Sequence, residues 1–479
     1  MKIGSNGGLV ASGFATAAIA AILLAAAARA EGPDVKSYTR ETFDQWVTKY
    51  KDAKPTFKAG DVITEKDLDK IRPFVPPGYI EQLDFPGFKA EIAAPGDYKP
   101  HKSYMDCGEK YQAQVVLEAN GAVSNYVCGR PFANEKLKAE DAEKSGLMAA
   151  WNYNFRWQNY GLAITDVGWI WDRFDGGTHA GIALTKPPGD LLVLNADIPT
   201  DTSEIYQGGG TFQRALQGPY QRVYYSHVAK QMSNQAALPG SNTKDFEFKE
   251  YTGFHDPFDI RGTAFIIFRY SDPLRADDAW AYVPSLRRVR RISVETKSDS
   301  LLGTDHTLED FYSFSGRVLD WNWRFLGYTQ ALHVMNSKFL DSHYGGPKGI
   351  VPVNDRWELR NYAIVERTPK NPRHPYSAVI MLWDTETFEP SYSMAWDKKG
   401  KLWKFWQWQK KWSEEMTEPT IKDMNVGQRV LTFQSIQVLD LQNDRGTLVP
   451  CYGRGYPDVK SAGDVEKLYD VSRLEGLHR

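Results

Sequence analysis

Cysteine is scarce. Cys107, Cys128 and Cys451 are the three in 479 residues, too few for a disulfide framework or a four-cysteine zinc site. An excess of one charge is missing too. The 58 Lys and Arg stand against 60 Asp and Glu, and that balance excludes broad phosphate neutralisation as a way of holding nucleic acid. After residue 30 no apolar run reaches the roughly 20 residues that a membrane-spanning helix needs. The phosphate-cradling patterns GxxxxGK[ST] and GxGxxG are absent, as are HExxH, Cys/His ligand spacing and GxSxG. Gly208-Gly209-Gly210 reads as a loop, and Ser313-Phe314-Ser315-Gly316 lacks the first glycine of a nucleophile elbow. His179, His227, His255, His306 and His333 are scattered and read as polar surface or core residues. Nothing specifies catalysis, a metal or a cofactor, so the chain reads as a non-enzyme.

Aromatic side chains are abundant: 15 Trp, 25 Tyr and 23 Phe make up 13% of the chain. Such a load serves either as core or as the wall of a cavity for a greasy ligand. The candidates for a cavity wall are Phe265, Ile267, Trp280, Leu319, Trp321, Trp323, Phe325, Trp383, Trp396 and Trp403. The N-terminus reads as a secretory signal. Lys2 precedes an uncharged stretch from Ile3 to Ala28 whose core is AAIAAILLAAAA, and Ala28-Arg29-Ala30 supplies a small-x-small cleavage pattern after Ala30. The remainder, 31–479, contains no Ser/Gly linker or low-complexity tract and reads as a single large exported domain.

Periodicity predicts an antiparallel sheet with a few helices. Phe43, Trp46, Val47 and Tyr50 form a helical stripe over Arg40–Lys51, and Thr64-Glu65-Lys66-Asp67 is a capping box opening a short helix with Leu68 and Ile71 inward. Helices are also expected over Asn134–Tyr153 and from about Ser461 to Leu474. Leu319, Trp321, Trp323 and Phe325 alternate with Asp320, Asn322 and Arg324, as in a strand with one dry face. Tyr111–Leu117 alternates similarly. So do Tyr392–Trp396 and Lys401–Trp408, with Trp403 and Phe405 expected on one face, and Val430–Leu441. Ala264–Tyr270 and Ala378–Trp383 are apolar on both faces and belong at a sheet centre. Cys107 and Cys128 could pair in an oxidising compartment. A hairpin through Asn120-Gly121 would, however, hold them about 20 Å apart on straight strands, so the chain would have to bend back before Tyr111. The arginines of Leu286–Ile292, Arg287, Arg288, Arg290 and Arg291, read either as a salt-bridged strand or as a docking site for anionic head groups or an acidic partner.

Several segments resemble the bacterial family of unknown function numbered 1329, described as outer-membrane lipoprotein-sorting-like. They are Ala59–Leu68, Asn125–Phe132, Ala279–Ile292, Asp310–Gly327, Arg356–Thr368 and Tyr376–Trp403. The W-x-Y-x-P-x-x-R-R-V-R-R and D-F-Y-x-F-S-G blocks carry most of the likeness. Where the family commonly has a small residue and a G-[LM]-P-F-P ending, this chain has Cys128-Gly129-Arg130-Pro131-Phe132-Ala133. The resemblance implies an α+β fold similar to periplasmic lipoprotein carriers: a large, strongly curved antiparallel half-barrel with helices covering its concave face. It implies a lipid or other hydrophobic ligand, transient membrane contact, and partnership with a resistance-nodulation-division-type exporter or outer-membrane protein. A non-catalytic adaptor and, less favoured, an envelope lipid or polysaccharide hydrolase are the alternatives.

Overall fold

The computed structural model describes residues 34–474, apart from 160, 174–210, 230–244, 294–297, 342, 347, 419–424 and 456–468. The leader expected at 1–30 and most of the helix expected after Ser461 lie outside these residues. Four α-helices are described: α1 (Arg40–Tyr50), α2 (Leu68–Ile71), α3 (Lys102–Tyr111) and α4 (Ala142–Asn154). None is long and apolar enough to cross a membrane. The strands, in chain order, are β1 (Val62–Thr64), β2 (Lys89–Ala93), β3 (Val116–Leu117), β4 (Val123–Ser124), β5 (Gly161–Arg173), β6 (Thr211–Tyr224), β7 (Phe246–Gly253), β8 (Ala264–Tyr270), β9 (Asp278–Val283) and β10 (Arg288–Ile292). They continue with β11 (Trp321–His333), β12 (Tyr344–Gly345), β13 (Val351–Pro352), β14 (Asp355–Pro369), β15 (Ala378–Asp384), β16 (Pro390–Trp396), β17 (Leu402–Trp412), β18 (Leu431–Asp440) and β19 (Arg445–Gly455).

Fifteen strands form one sheet, ordered β1-β2-β14-β15-β16-β17-β18-β19-β5-β6-β7-β8-β9-β10, with β11 also paired to β14. Every pairing is antiparallel except β2 with β14. Among the described residues the sheet does not close, since β10 pairs only with β9 and β11 only with β14. The molecule is therefore α+β, built on one large and mostly antiparallel sheet with few helices.

The central strands are buried on both faces, and alternation along each strand decides which side a residue serves. On β15, Ile380 and Leu382 join one cluster while Val379, Met381 and Trp383 join the other. The first face is covered by the N-terminal segment: Phe43 and Trp46 of α1, Leu68 and Ile71 of α2, and the loop residues Phe74, Tyr79, Leu83 and Phe88. Tyr79 stacks on Phe405 with ring centroids 5.2 Å apart. The second face is covered by α4 and by the chain between β10 and β11. That connection lays Phe311, Tyr312 and Phe314 across the sheet. It is fixed by polar contacts at each step: Asp305 pairs with Arg445 of β19, Asp310 with Arg367 of β14, and Ser315 and Gly316 carbonyls accept from Arg269 of β8.

Several expectations are met at residue level. The box at Thr64 forms with Asp67, and Leu68 and Ile71 point inward. On β11, Trp321, Trp323 and Phe325 are buried while Asn322 and Arg324 are exposed. Others need correction. Tyr111–Leu117 is not a continuous strand: α3 runs to Tyr111, a 3-10 turn follows, and only Val116–Leu117 pairs with Val123–Ser124. The helix expected from Asn134 starts at Ala142, after two 3-10 turns. A register shift opposite Ala395/Trp396 leaves Trp403 as an extra residue in β17, so Trp403 packs with the second face and Phe405 with the first. β15 is central and covered on both sides, whereas β8 lies only two strands from the β10 edge, with Phe265 and Phe268 partly open.

Candidate functional site

A cavity of 830 Å³ opens beside the C-terminal end of α4, where the β3–β4 hairpin and the loop after it meet strands β6 and β7. Its size falls within the few hundred to about 1,000 Å³ typical of ligand pockets. Its apolar lining includes Val123, Tyr126, Val127, Trp151, Phe155 and Tyr225. The rings form a column: Trp151 on Phe155 at 5.5 Å, Phe155 on Tyr126 at 4.2 Å and Tyr126 on His227 at 4.8 Å.

Each wall is held by identifiable contacts. Gly146 lets α4 approach the β11 backbone closely: a Cβ there would lie 2.6 Å from Arg324 Cα. Tyr153 stacks on Trp383 at 4.2 Å, and the Asn152 side chain clamps both backbone groups of Phe132. The hairpin turns at Gly121, whose φ of +86° suits glycine, and the Gly121 carbonyl accepts a hydrogen bond from Trp151 Nε1 at 2.8 Å. Cys107 and Cys128 are bonded, with Cα atoms 5.7 Å apart. The chain bends because Cys107 lies on α3, and the bond ties that helix to the loop bearing Tyr126 and Val127.

One carboxylate enters this apolar space. Glu247 sits where the β7–β8 register shifts between Phe246 and Phe248, and such bulges re-aim side chains. It is 7% exposed and lines the cavity, with Oε1 accepting from Asn154 Nδ2 at 3.0 Å. Burial pushes its carboxyl up to about 7, opposed by the Arg269 guanidinium. Burial likewise holds the His227 imidazolium below its ordinary range, with Nδ1 within 3.2 Å of the Val127 carbonyl.

The ten aromatic and aliphatic residues expected along a cavity wall are distributed differently. None lines the 830 Å³ cavity. Trp321, Trp323, Phe325 and Trp383 are buried on the second face against the protein's own side chains, and Leu319, Phe265 and Trp403 pack at the margin of the same cluster. Trp396 is on the opposite face. Trp280 packs partly beside β8, and Ile267 is buried within that strand. The chain between β10 and β11 supplies the covering groups, so this aromatic surface is filled by the protein itself. Leu319 and Trp321 do reach a separate 460 Å³ cavity, where His374 Nε2 meets Glu309 Oε2 at 2.9 Å. Arg288, Arg290 and Arg291 are exposed on β10, with Arg291 paired to Asp278, and Arg287 occupies the left-handed region at φ 47° before it. Among the described residues no group of three or more His, Cys, Asp or Glu could hold a metal ion. The cavity escapes sequence reading because its residues come from five separate segments; the β3–β4 turn was signalled by Asn120-Gly121 and the helix bearing Trp151 by its composition, but nothing in the sequence brings those segments together.

No curated protein sequence matches this chain. Among solved structures, it is similar to a domain described as of outer membrane lipoprotein-sorting type from Vibrio parahaemolyticus, at 16% identity and TM-score 0.42, covering 70% of this chain and 99% of that one. A DUF1329 family protein from Desulfovibrio piger gives 18% identity and TM-score 0.43, with the same coverages of 70% and 99%. A LolA superfamily protein from Nitrosomonas europaea gives 13% identity and TM-score 0.34, over 66% of this chain and 94% of that one. Residues 192–466, more than half of the sequence, match the model of the family described as protein of unknown function DUF1329, and the chain belongs to that family.

Proposed function

We propose that the protein is a non-catalytic, exported binding protein that carries a lipid or other hydrophobic compound, working in the periplasm with an envelope transporter. The observation that carries the reading is the 830 Å³ cavity with its column of aromatic rings. Each methylene moved from water into such a space is worth about 0.8 kcal/mol, so a tail of about ten carbons gains on the order of 8 kcal/mol before ordering and association costs. That is compatible with binding that can be reversed. Export is supported by the apolar, small-residue N-terminus and by the Cys107–Cys128 bond, which persists in oxidising compartments.

The test is retrieval. Delipidated protein incubated with bacterial membrane extract, re-isolated and analysed by mass spectrometry should return a bound hydrophobic molecule. A Ser226→Trp variant, which places an indole in the cavity, should return little. Equal retrieval by the two proteins, or none by either, contradicts the reading.

A second reading, an adaptor that docks to a membrane partner, is favoured by one observation. Among the described residues, β10 ends the sheet with Arg288 and Arg290 exposed along an edge that pairs on one side only. Such edges accept added strands, and guanidinium groups select acidic ones. Under this reading Arg288→Glu with Arg290→Glu abolishes partner pull-down while leaving lipid retrieval unchanged.

A further inference from the structure

Building on the reading of this cavity as a ligand site, we propose that its ligand is a cationic amphiphile: an apolar tail with a primary or quaternary ammonium end held beside Glu247 and the aromatic column. Among the described residues, the lining of the cavity contains two carboxylates, Glu247 and Asp272, and no Lys or Arg. Glu247 is more than nine-tenths buried, and among the described residues its one side-chain hydrogen bond is from Asn154 to Oε1, which leaves Oε2 for a ligand.

The two guanidinium groups that act most on Glu247 make their direct ion pairs with other carboxylates. Arg269 directs Nη2 and Nε to Asp277 at 2.8 and 3.2 Å, Nη2 also to the Ser315 carbonyl and Nη1 to the Gly316 carbonyl. Arg222 is paired with Glu250 and bonded to Ser315 Oγ. His227, whose charge is disfavoured by burial, adds an aromatic face and no competing cation. Arg269 and Arg222 act on Glu247 through space and do not pair with it directly; a buried carboxylate without a contacting cation is costly, and a ligand ammonium would supply that contact. Indole and phenol faces attract such a group further. A fatty acid or phosphate monoester would instead bring a second negative charge against Glu247.

The experiment compares three probes with the same twelve-carbon tail, each below its micellar concentration: dodecyltrimethylammonium, dodecyl maltoside and dodecanoate. Binding to the full chain is followed by calorimetry. The expected result is that the ammonium probe binds about tenfold more tightly than the maltoside and that dodecanoate is weakest. Glu247→Gln should lower the ammonium affinity to that of the maltoside without changing the maltoside affinity, which also reports that the variant is folded. Tighter or equal binding of dodecanoate, or an ammonium preference that survives Glu247→Gln, overturns the inference while leaving the cavity as a hydrophobic site. Binding of none of the three overturns the inference together with the functional reading beneath it.

Discussion

Gly146→Ala separates local preference from packing. Within an exposed helix the change would stabilise by about 1 kcal/mol, since alanine is the better helix former. Here the added methyl would sit 2.6 Å from both Arg324 Cα and the Trp323 carbonyl carbon, inside any permitted contact and against backbone with nowhere to turn. Relief requires α4 to move off β11 by about 1 Å, and overpacking of this kind costs about 1–3 kcal/mol, at the upper end when the obstacle is main chain. The net expectation is a destabilisation of about 2 kcal/mol, read as a lower urea midpoint at unchanged m-value. Because α4 carries Trp151 to the cavity and leads directly into Phe155, which also lines it, the same displacement should weaken binding of the maltoside probe. A variant as stable as the parent, or more so, would refute the claim that contact between α4 and β11 sets the helix position.

Other outcomes follow from the same structure. Arg367 is fully buried and paired with Asp310, so Arg367→Met leaves an uncompensated carboxylate beneath the β10–β11 connection and should cost about 3–5 kcal/mol in denaturant melts. Reduction of the Cys107–Cys128 bond, which closes a loop of sequence separation 21, should cost about 3 kcal/mol and increase hydrogen exchange around Tyr126. The folded-state carboxyl of Glu247 is raised from 4.5 to about 7. The folded state therefore holds a proton that the unfolded chain releases, and stability is lost as pH rises from 4.5 through 7. Glu247→Gln should remove that part of the slope in ligand-free protein, and a slope unchanged in the variant would contradict the assignment.

Much of the frame was legible because it rests on one-dimensional patterns. Alternation in β11 marked its dry face, and the Phe43–Tyr50 stripe marked α1. What escaped depends on interruptions. The extra residue at Trp403 sends it to the face opposite Phe405, and the one at Glu247 re-aims a carboxylate that looks like an ordinary surface acid. Tyr104, Cys107, Gly108 and Tyr111 carry a helical spacing, but the alternation from Tyr111 to Leu117 competes with it and wins on sequence alone. The aromatic sheet face was the harder ambiguity. Composition cannot distinguish a wall awaiting a guest from one already occupied, and the cover over Trp323 and Trp383 is an irregular connection with no period to announce it.

The central claim is that guests enter beside α4 and not against the sheet's aromatic face. Photo-crosslinking with an alkyl diazirine probe followed by peptide mapping tests it directly. Labels are expected on the peptides containing Tyr126–Val127, Trp151–Phe155 and Tyr225–His227. Labels concentrated on Trp321–Phe325 or Ala378–Trp383 would contradict the account.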